Sequence, residues 1–302
     1  MDRLQAMKTF VAVVDSGGFT PAARQLDMSL SVVSRVVTEL EAHLGVRLLT
    51  RTTRVVRPTA TGVAYYENCR RILGDIDDAE LAAAGAHEAP RGRLSITASV
   101  LFGRRYVTPL VVEYLLRYPE VDVDCLLIDR VVNFIDEGID VGVRIGPLPN
   151  SSLQAIQVGQ VRRVVCAAPS YLARHGAPAA PERLADHTVI QATGASTVPE
   201  WRFQHNGDPF AVRLHPRMTT TTNDSAIAAA VAGLGLAGVL SYQVADELRD
   251  GRLQVVLEDF EQPPLPIHVI HREGRHAMHR VRAFIDLAVD TLRANAALNP
   301  SA

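Results

Sequence analysis

Between Ser29 and Thr38 the chain gathers side chains suited to a polyanion. Ser29, Ser31, Ser34 and Thr38 carry hydroxyls, Arg35 a guanidinium, and Leu30 an apolar tip. Short donors and one cation near a helix start can approach phosphates and base edges, whereas a bulky acidic face could not. Thr20 stands upstream of this group. Downstream, Arg47, Arg51, Arg54 and Arg57 follow one another with no acidic residue between them. Such a local excess of positive charge is the footprint of phosphate contact. With a net charge of −2 over 302 residues, the basicity is local rather than general.

Three helices and a small ribbon must position these groups. Leu4, Met7, Phe10, Val11 and Val14 recur at helical spacing and predict one apolar helix face, ended by Ser16-Gly17-Gly18. Thr20 is read as the cap of a second helix over 21–26, with Pro21 at its first position. Asp27-Met28-Ser29 turns the chain, and either Ser29 or Ser31 can cap a third helix. That helix buries Val33, Val36, Val37, Leu40 and Leu44 and leaves Leu30, Ser31, Ser34, Arg35 and Thr38 outside. Gly45 stops it. Residues 46–49 and 54–57 then read as the two strands of a wing with Arg51 and Arg54 near its tip, within reach of the minor groove or backbone.

The stretch from Phe19 to Tyr65 closely resembles the DNA-binding domain of LysR-type transcriptional regulators. The resemblance rests on Phe19-Thr20, Ala22-Ala23, Leu26, Ser31-x-x-Ser34-Arg35, Leu40-Glu41, Leu44-Gly45-Val46-Arg47-Leu48-Leu49, Arg51 and Thr61-Gly62. Leu30 departs from the family, which often carries a base-reading glutamine there. Met28 stands where valine is common, and Pro58-Thr59-Ala60-Thr61-Gly62 is an irregular form of the usual motif. The resemblance implies double-stranded operator DNA as a partner.

From Thr61 to Ala86 one long helix is predicted. Tyr65, Cys69, Ile72, Ile76, Ala79, Ala83 and Ala86 alternate at spacings of four and three, which makes an a/d seam. In the resembling family the equivalent helix pairs two chains, and dimers assemble into tetramers. That implies a homodimer that goes on to a homotetramer. Pro90-Arg91-Gly92 is a predicted hinge.

After Gly92 strands and helices alternate, which implies parallel sheets with helices on their faces. Predicted strands cover 94–99, 121–128 and 139–145, with helices over 104–118 and 131–137. A second unit starts near Arg163 with a strand over 164–167 and helices over 169–174 and 225–232; a strand over 266–270 and a helix over 276–297 close the chain. The predicted domains are a winged helix-turn-helix at 1–58, an all-α module but for its wing; a linker helix at 59–89; and an α/β effector domain at 90–302. The resemblance extends over this last region through Phe102-Gly103-Arg104-Arg105, Tyr118-Pro119-Glu120-Val121 and Glu137-Gly138-Ile139-Asp140-Val141. It implies a periplasmic-binding-protein-like architecture, with subdomain I at 90–161 and 267–302, subdomain II at 162–266, and a cleft between them.

Ligands of open α/β sheets sit beyond the carboxyl ends of strands. That rule selects Ser99, Val100, Leu101 and Phe102, then Ile128, then Arg144 and Ile145, and finally Thr222 and Asn223 before a helix. Ser99, Asn223, helix N-termini and a bidentate Arg144 suit a small carboxylate effector. A structural ion pair of Arg144 with Asp129 or Asp140 is the competing reading. Phe102 and Trp201 are candidate pocket aromatics.

Other signals point nowhere. Gly233-Leu234-Gly235-Leu236-Ala237-Gly238 matches a dinucleotide fingerprint literally, but it follows a helix and leads into a strand, the reverse of the required order. His268, His271, His276 and His279 are split between strand and helix, so neither metal nor other cofactor is expected. No catalytic motif is present, and Cys69, Cys125 and Cys166 make no metal-type pair. With no apolar run long enough for a membrane span and no signal-type N-terminus, a cytoplasmic protein is expected, with no membrane partner. The alternative to a regulator is a ligand-binding or enzymatic α/β domain that carries an N-terminal interaction module.

Overall fold

Asp2 starts the first helix by accepting the Leu4 and Gln5 backbone N–H groups at 3.0 and 3.2 Å. The computed structural model describes residues 1–51, 56–83, 89–148, 153–193, 199–272 and 279–299, in two units, Met1–Arg93 and Leu94–Ala302. In the first unit α1 (Arg3–Asp15), α2 (Phe19–Gln25) and α3 (Leu30–Leu44) pack around Ala6, Phe10, Val13, Ala22, Val37 and Leu40. The apolar face of α1 is turned by one residue from its predicted setting: Ala6, Phe10 and Val13 are buried, while Met7, Val11 and Val14 flank them. The cap of α2 is Gly18 rather than Thr20. Its extended backbone leads directly into Phe19, so Thr20 becomes an exposed residue of the first turn. Pro21 then falls in that same turn, where a missing N–H costs nothing.

The strands β1 (Leu49–Arg51) and β2 (Val56–Pro58) pair antiparallel, three residues further along the chain than the predicted first wing strand. Thr59 Oγ1 then accepts the Gly62 N–H at 2.9 Å and donates to the Arg47 carbonyl at 2.8 Å, capping α4 (Ala60–Ala83). A Cβ on Gly62 would fall 1.9 Å from the Leu48 carbonyl oxygen, so helix and wing approach as closely as they do only because this residue is glycine. Tyr65 and Cys69 of α4 join the unit's own core, Tyr65 against Phe10 at 5.6 Å between ring centroids. Cys69 is fully enclosed in its own unit, while Tyr65 keeps part of its surface exposed. Ile72 and Ile76 are half-buried, the side chains of Ala79 and Ala83 lie outside the described residues, and so does Ala86.

The second unit holds two five-stranded sheets. The first has the order β4-β3-β5-β14-β6, with β3 (Gly92–Ala98), β4 (Val121–Leu127), β5 (Val141–Ile145), β6 (Gln154–Val161) and β14 (Leu265–His271). The second runs β11-β8-β12-β7-β13, from β7 (Arg163–Ala167), β8 (Val189–Ala192), β11 (Met218–Thr220), β12 (Leu236–Leu240) and β13 (Gln254–Val256). A hairpin, β9 (Glu200–His205) and β10 (Asp208–Arg213), stands beside the second sheet. Helices α5 (Val100–Phe102), α6 (Thr108–Arg117), α7 (Pro169–His175), α8 (Asn223–Val231), α9 (Ala245–Arg249) and α10 (His279–Ala294) complete the unit. The chain crosses from one sheet to the other between Val161 and Arg163 and returns between Val256 and Leu265.

The predicted helix over 131–137 is a turn. Asn133 Oδ1 accepts the Ile135 N–H at 3.0 Å and Glu137 accepts the Asn133 N–H at 3.1 Å, so side chains satisfy the donors that a helix would otherwise use. The predicted helix over 104–118 divides into a π-helical turn, Gly103–Val107, and α6. Gly233, at φ +78°, turns α8 into β12, as the order of elements in the sequence requires. Among the described residues no helix is long and apolar enough to cross a membrane.

Candidate functional site

In the first unit α3 buries Val33, Val37 and Leu40 and turns its other side to solvent. Ser29 resolves the choice of cap: its Oγ accepts the Val32 N–H at 3.3 Å, and Ser31 Oγ lies 3.0 Å from Ser29 Oγ. Leu30, Ser31, Arg35 and Thr38 are exposed and Ser34 is half-buried; Leu30 keeps half of its surface in water. Arg35 lies 3.9 Å from Glu39 across an exposed helical turn, a contact worth a few tenths of a kcal/mol at most and readily exchanged for a phosphate. Thr38 Oγ1 donates to the Ser34 carbonyl at 2.8 Å.

Glu41 fixes this helix to the wing. Its Oε1 accepts the Leu48 and Leu49 N–H groups at 2.8 and 2.9 Å, so helix and ribbon move as one piece. Gly45, at φ +69°, closes α3 in the left-handed conformation that directs the chain into that contact. Arg51 lies in β1 with its side chain outside the described residues, and Arg54 lies wholly outside them.

In the second unit a cavity of about 1270 Å³ opens between the two sheets. That is ample for a small-molecule site, since such pockets run to roughly 300–1,000 Å³. Ser99, Ile128, Arg144, Ile145 and Asn223 all line it. Val100, Leu101, Phe102 and Thr222 do not. Phe102 is fully buried against Tyr106 and Tyr242, with centroids at 4.8 and 5.3 Å. Leu101 packs between the cores of the two sheets, Val100 gives its N–H to Asp129 at 3.0 Å, and Thr222 shares its hydroxyl with Ser225 at 3.0 Å. The strand-end rule leads to residues of this cleft, but in the short helix that follows Ser99 Phe102 and Leu101 turn into the core while Val100 stays exposed outside the lining.

Arg144 donates to Thr97 Oγ1 at 2.9 Å and, among the described residues, forms no ion pair. Asp140, one of its candidate partners, instead accepts the Ser95 N–H at 2.8 Å. Burial lowers the Arg144 pKa from its ordinary value, with the fields of Asp129 and Glu137 opposing that shift. A half-desolvated guanidinium with free donors is a receptor for an anion.

Trp201 forms another wall. Its Nε1 donates to Gln191 Oε1 at 3.0 Å, and its indole lies so close to β12 that a Cβ on Gly238 would fall 2.6 Å from the ring. Gln191, Gly238, Arg163 and Tyr242 were not singled out by sequence. Arg163 opens β7, which runs antiparallel to β12 and pairs Arg163 with Leu240. Its place at a strand start therefore coincides with the carboxyl end of the neighbouring strand, and that pairing is the signal that would have found it. Val131 and Ile135, 91% and 67% exposed, bring apolar surface to the rim.

Among the described residues, no group of three or more His, Cys, Asp or Glu side chains could hold a metal. His268 and His271 lie on opposite faces of β14 by strand periodicity. His276 lies outside the described residues.

Comparison with known proteins matches residues 4–63 to the bacterial regulatory helix-turn-helix family of LysR type and residues 87–293 to the LysR substrate binding domain. An HTH-type transcriptional repressor of Pseudomonas aeruginosa is 35% identical over 98% of this chain and 94% of its own. The HTH-type transcriptional activator AaeR of Escherichia coli is 33% identical over 96% and 94% respectively. The solved structure of CrgA, a LysR-type transcriptional regulator from Neisseria meningitidis, is 31% identical, superposes with a TM-score of 0.61, and covers 96% of this chain and 99% of that one. An exposed polar recognition helix locked to a wing, a two-sheet domain around a deep cleft, and these matches converge: the chain belongs to the LysR family of transcriptional regulators, with a helix-turn-helix DNA-binding domain followed by an effector-binding domain.

Proposed function

We propose that Ser29, Leu30, Ser31, Ser34, Arg35 and Thr38 of α3 meet DNA in the major groove. Thr20, Arg51 and Arg54 hold the flanking backbone. The observation that carries this reading is the contrast on α3 itself, where an apolar face is sealed into the unit and short polar side chains stand on the face left open. A single recognition helix spans one half-site, so pairing of linker helices beyond Tyr65 and Cys69 provides the second. Dimers then associate to tetramers, as the family does. The cleft, with Ser99, Ile128, Arg144, Ile145 and Asn223 on its wall, takes a small carboxylate effector that shifts the arrangement of the paired subunits. The protein acts in the cytoplasm as a regulator and not as an enzyme.

A gel shift with the DNA upstream of its own gene tests this reading. Sequence-selective binding that weakens steeply with salt is expected. Arg51→Ala should weaken binding to all sequences, whereas Ser31→Ala or Ser34→Ala should change sequence preference. Equal losses on operator and random DNA for all three variants would contradict the assignment.

A further inference from the structure

The charges of the cleft do not cancel locally. Its carboxylates Glu200 and Glu261 are paired with Arg202 at 3.1 Å and Arg162 at 3.2 Å, while Asp129 accepts the Val100 N–H and also acts through its charge on Arg144. Arg130 is likewise held by Glu137 at 2.5 Å. Among the described residues three lining guanidiniums form no ion pair: Arg144, Arg163 and Arg272, the last an exposed residue just past β14; Arg144 and Arg163 stand on different sheets. Arg144 belongs to β5 of the first sheet and has only the Thr97 hydroxyl; Arg163 belongs to β7 of the second sheet and, among the described residues, forms no ion pair or side-chain hydrogen bond.

We propose that the cleft takes a diacid, one acidic group held by Arg144 and the other by Arg163, so that a single ligand ties the two sheets together. The proposal rests on the reading of this cleft as the effector site. Three features support it beyond the absence of partners. Partial burial, followed by the positive charge of Arg202, lowers the Arg163 pKa although the residue keeps much of its surface in water, and an anion beside it would offset the repulsion between the two guanidiniums. Arg163 also sits where the chain crosses between the sheets, next to Arg162, whose N–H meets Ser241 Oγ at 3.1 Å while its carbonyl accepts the Ser241 N–H at 2.9 Å. A ligand anchored at this crossing and on β5 contacts both sheets. Such a ligand favours whatever arrangement of the two sheets brings both cations within its reach, which is the differential affinity that a population shift requires. Finally, Trp201 and Ile145 bring aromatic and apolar surface to the lining of the same cleft, which suits the carbon skeleton of a diacid.

Titration calorimetry on the full chain, with matched probes, decides the matter. The pairs are terephthalate against benzoate, and adipate and suberate against hexanoate and octanoate. At least one diacid should bind tenfold or more tightly than its monoacid. Arg163→Gln should bring that diacid down to the affinity of the monoacid and leave the monoacid unchanged, while Arg144→Gln should weaken both. Arg163→Lys, which keeps the charge, should retain part of the preference and guards against a misfolded glutamine variant. Equal binding of monoacids and diacids, weakened by Arg144→Gln but insensitive to Arg163→Gln, would overturn the diacid and leave the carboxylate site standing. Absence of binding by every acid would overturn both.

Discussion

The DNA-contact face and the ligand cleft are assembled by opposite means. The face comes from one short stretch of chain, whose caps, turn and apolar stripe all act within a few residues of one another. The cleft wall draws residues from Ser99 to Arg272 and depends on the chain crossing from one sheet to the other and back. The first site is fixed by local rules, while the second is fixed only once strand order is known. Yet both depend on a glycine at the point of closest approach: Gly62 under the Leu48 carbonyl, and Gly238 under the Trp201 ring.

That parallel makes the largest test. Gly62→Ala drives a Cβ into the Leu48 backbone carbonyl, which cannot rotate away, and should cost about 3 kcal/mol. It should lower the melting temperature and abolish operator binding while ligand binding to the second unit persists. Glu41→Ala should cost about 2 kcal/mol, because two N–H groups on buried leucines lose their acceptor. Glu41→Gln, which keeps an oxygen, should recover most of that loss in a thermal melt. Gly238→Ala meets a side chain rather than backbone, so about 1 kcal/mol is expected. Here calorimetry should show weakened acid binding, and gel shifts should show unchanged affinity for unliganded operator. If Gly238→Ala impaired unliganded DNA binding as much as Gly62→Ala, the separation of the two sites would fail. The smallest effect belongs to Leu30→Gln. An exposed position should change stability by no more than about 0.5 kcal/mol, while selection from a randomised operator library should reveal a new preference at one base pair.

The same contrast explains what was legible in the sequence. Ser29, Gly45 and the stripe of Val33, Val37 and Leu40 are readable because capping and helical periodicity are short-range, whereas Leu44, in the last turn of α3, is exposed rather than buried and Val36 is only half-buried. The cleft was half readable. Ser99, Arg144 and Asn223 follow from the strand-end rule, whereas Arg163 requires knowing that β7 runs antiparallel to β12. The strand β6 was not read because it lies at a sheet edge and carries Gln154, Gln157 and Gln160, so its hydrophobic signal is weak. Over 131–137 the apolar spacing suits a helix, but Asn133 and Glu137 divert the backbone donors into a turn. The apolar face of α1 is shifted by one residue from its periodicity because small Ala6 and Ala12 take buried positions in place of their larger neighbours.

The central claim is that the cleft makes the DNA contact conditional, and a footprint of the full chain on its upstream DNA, with and without the tightest-binding acid of the calorimetry series, tests it most directly. The account predicts that the acid alters the protected region for the wild-type chain and leaves it unaltered for Arg144→Gln, with both proteins giving the same footprint in its absence. An acid-dependent change that persists undiminished in Arg144→Gln, or loss of the unliganded footprint in that variant, would contradict it.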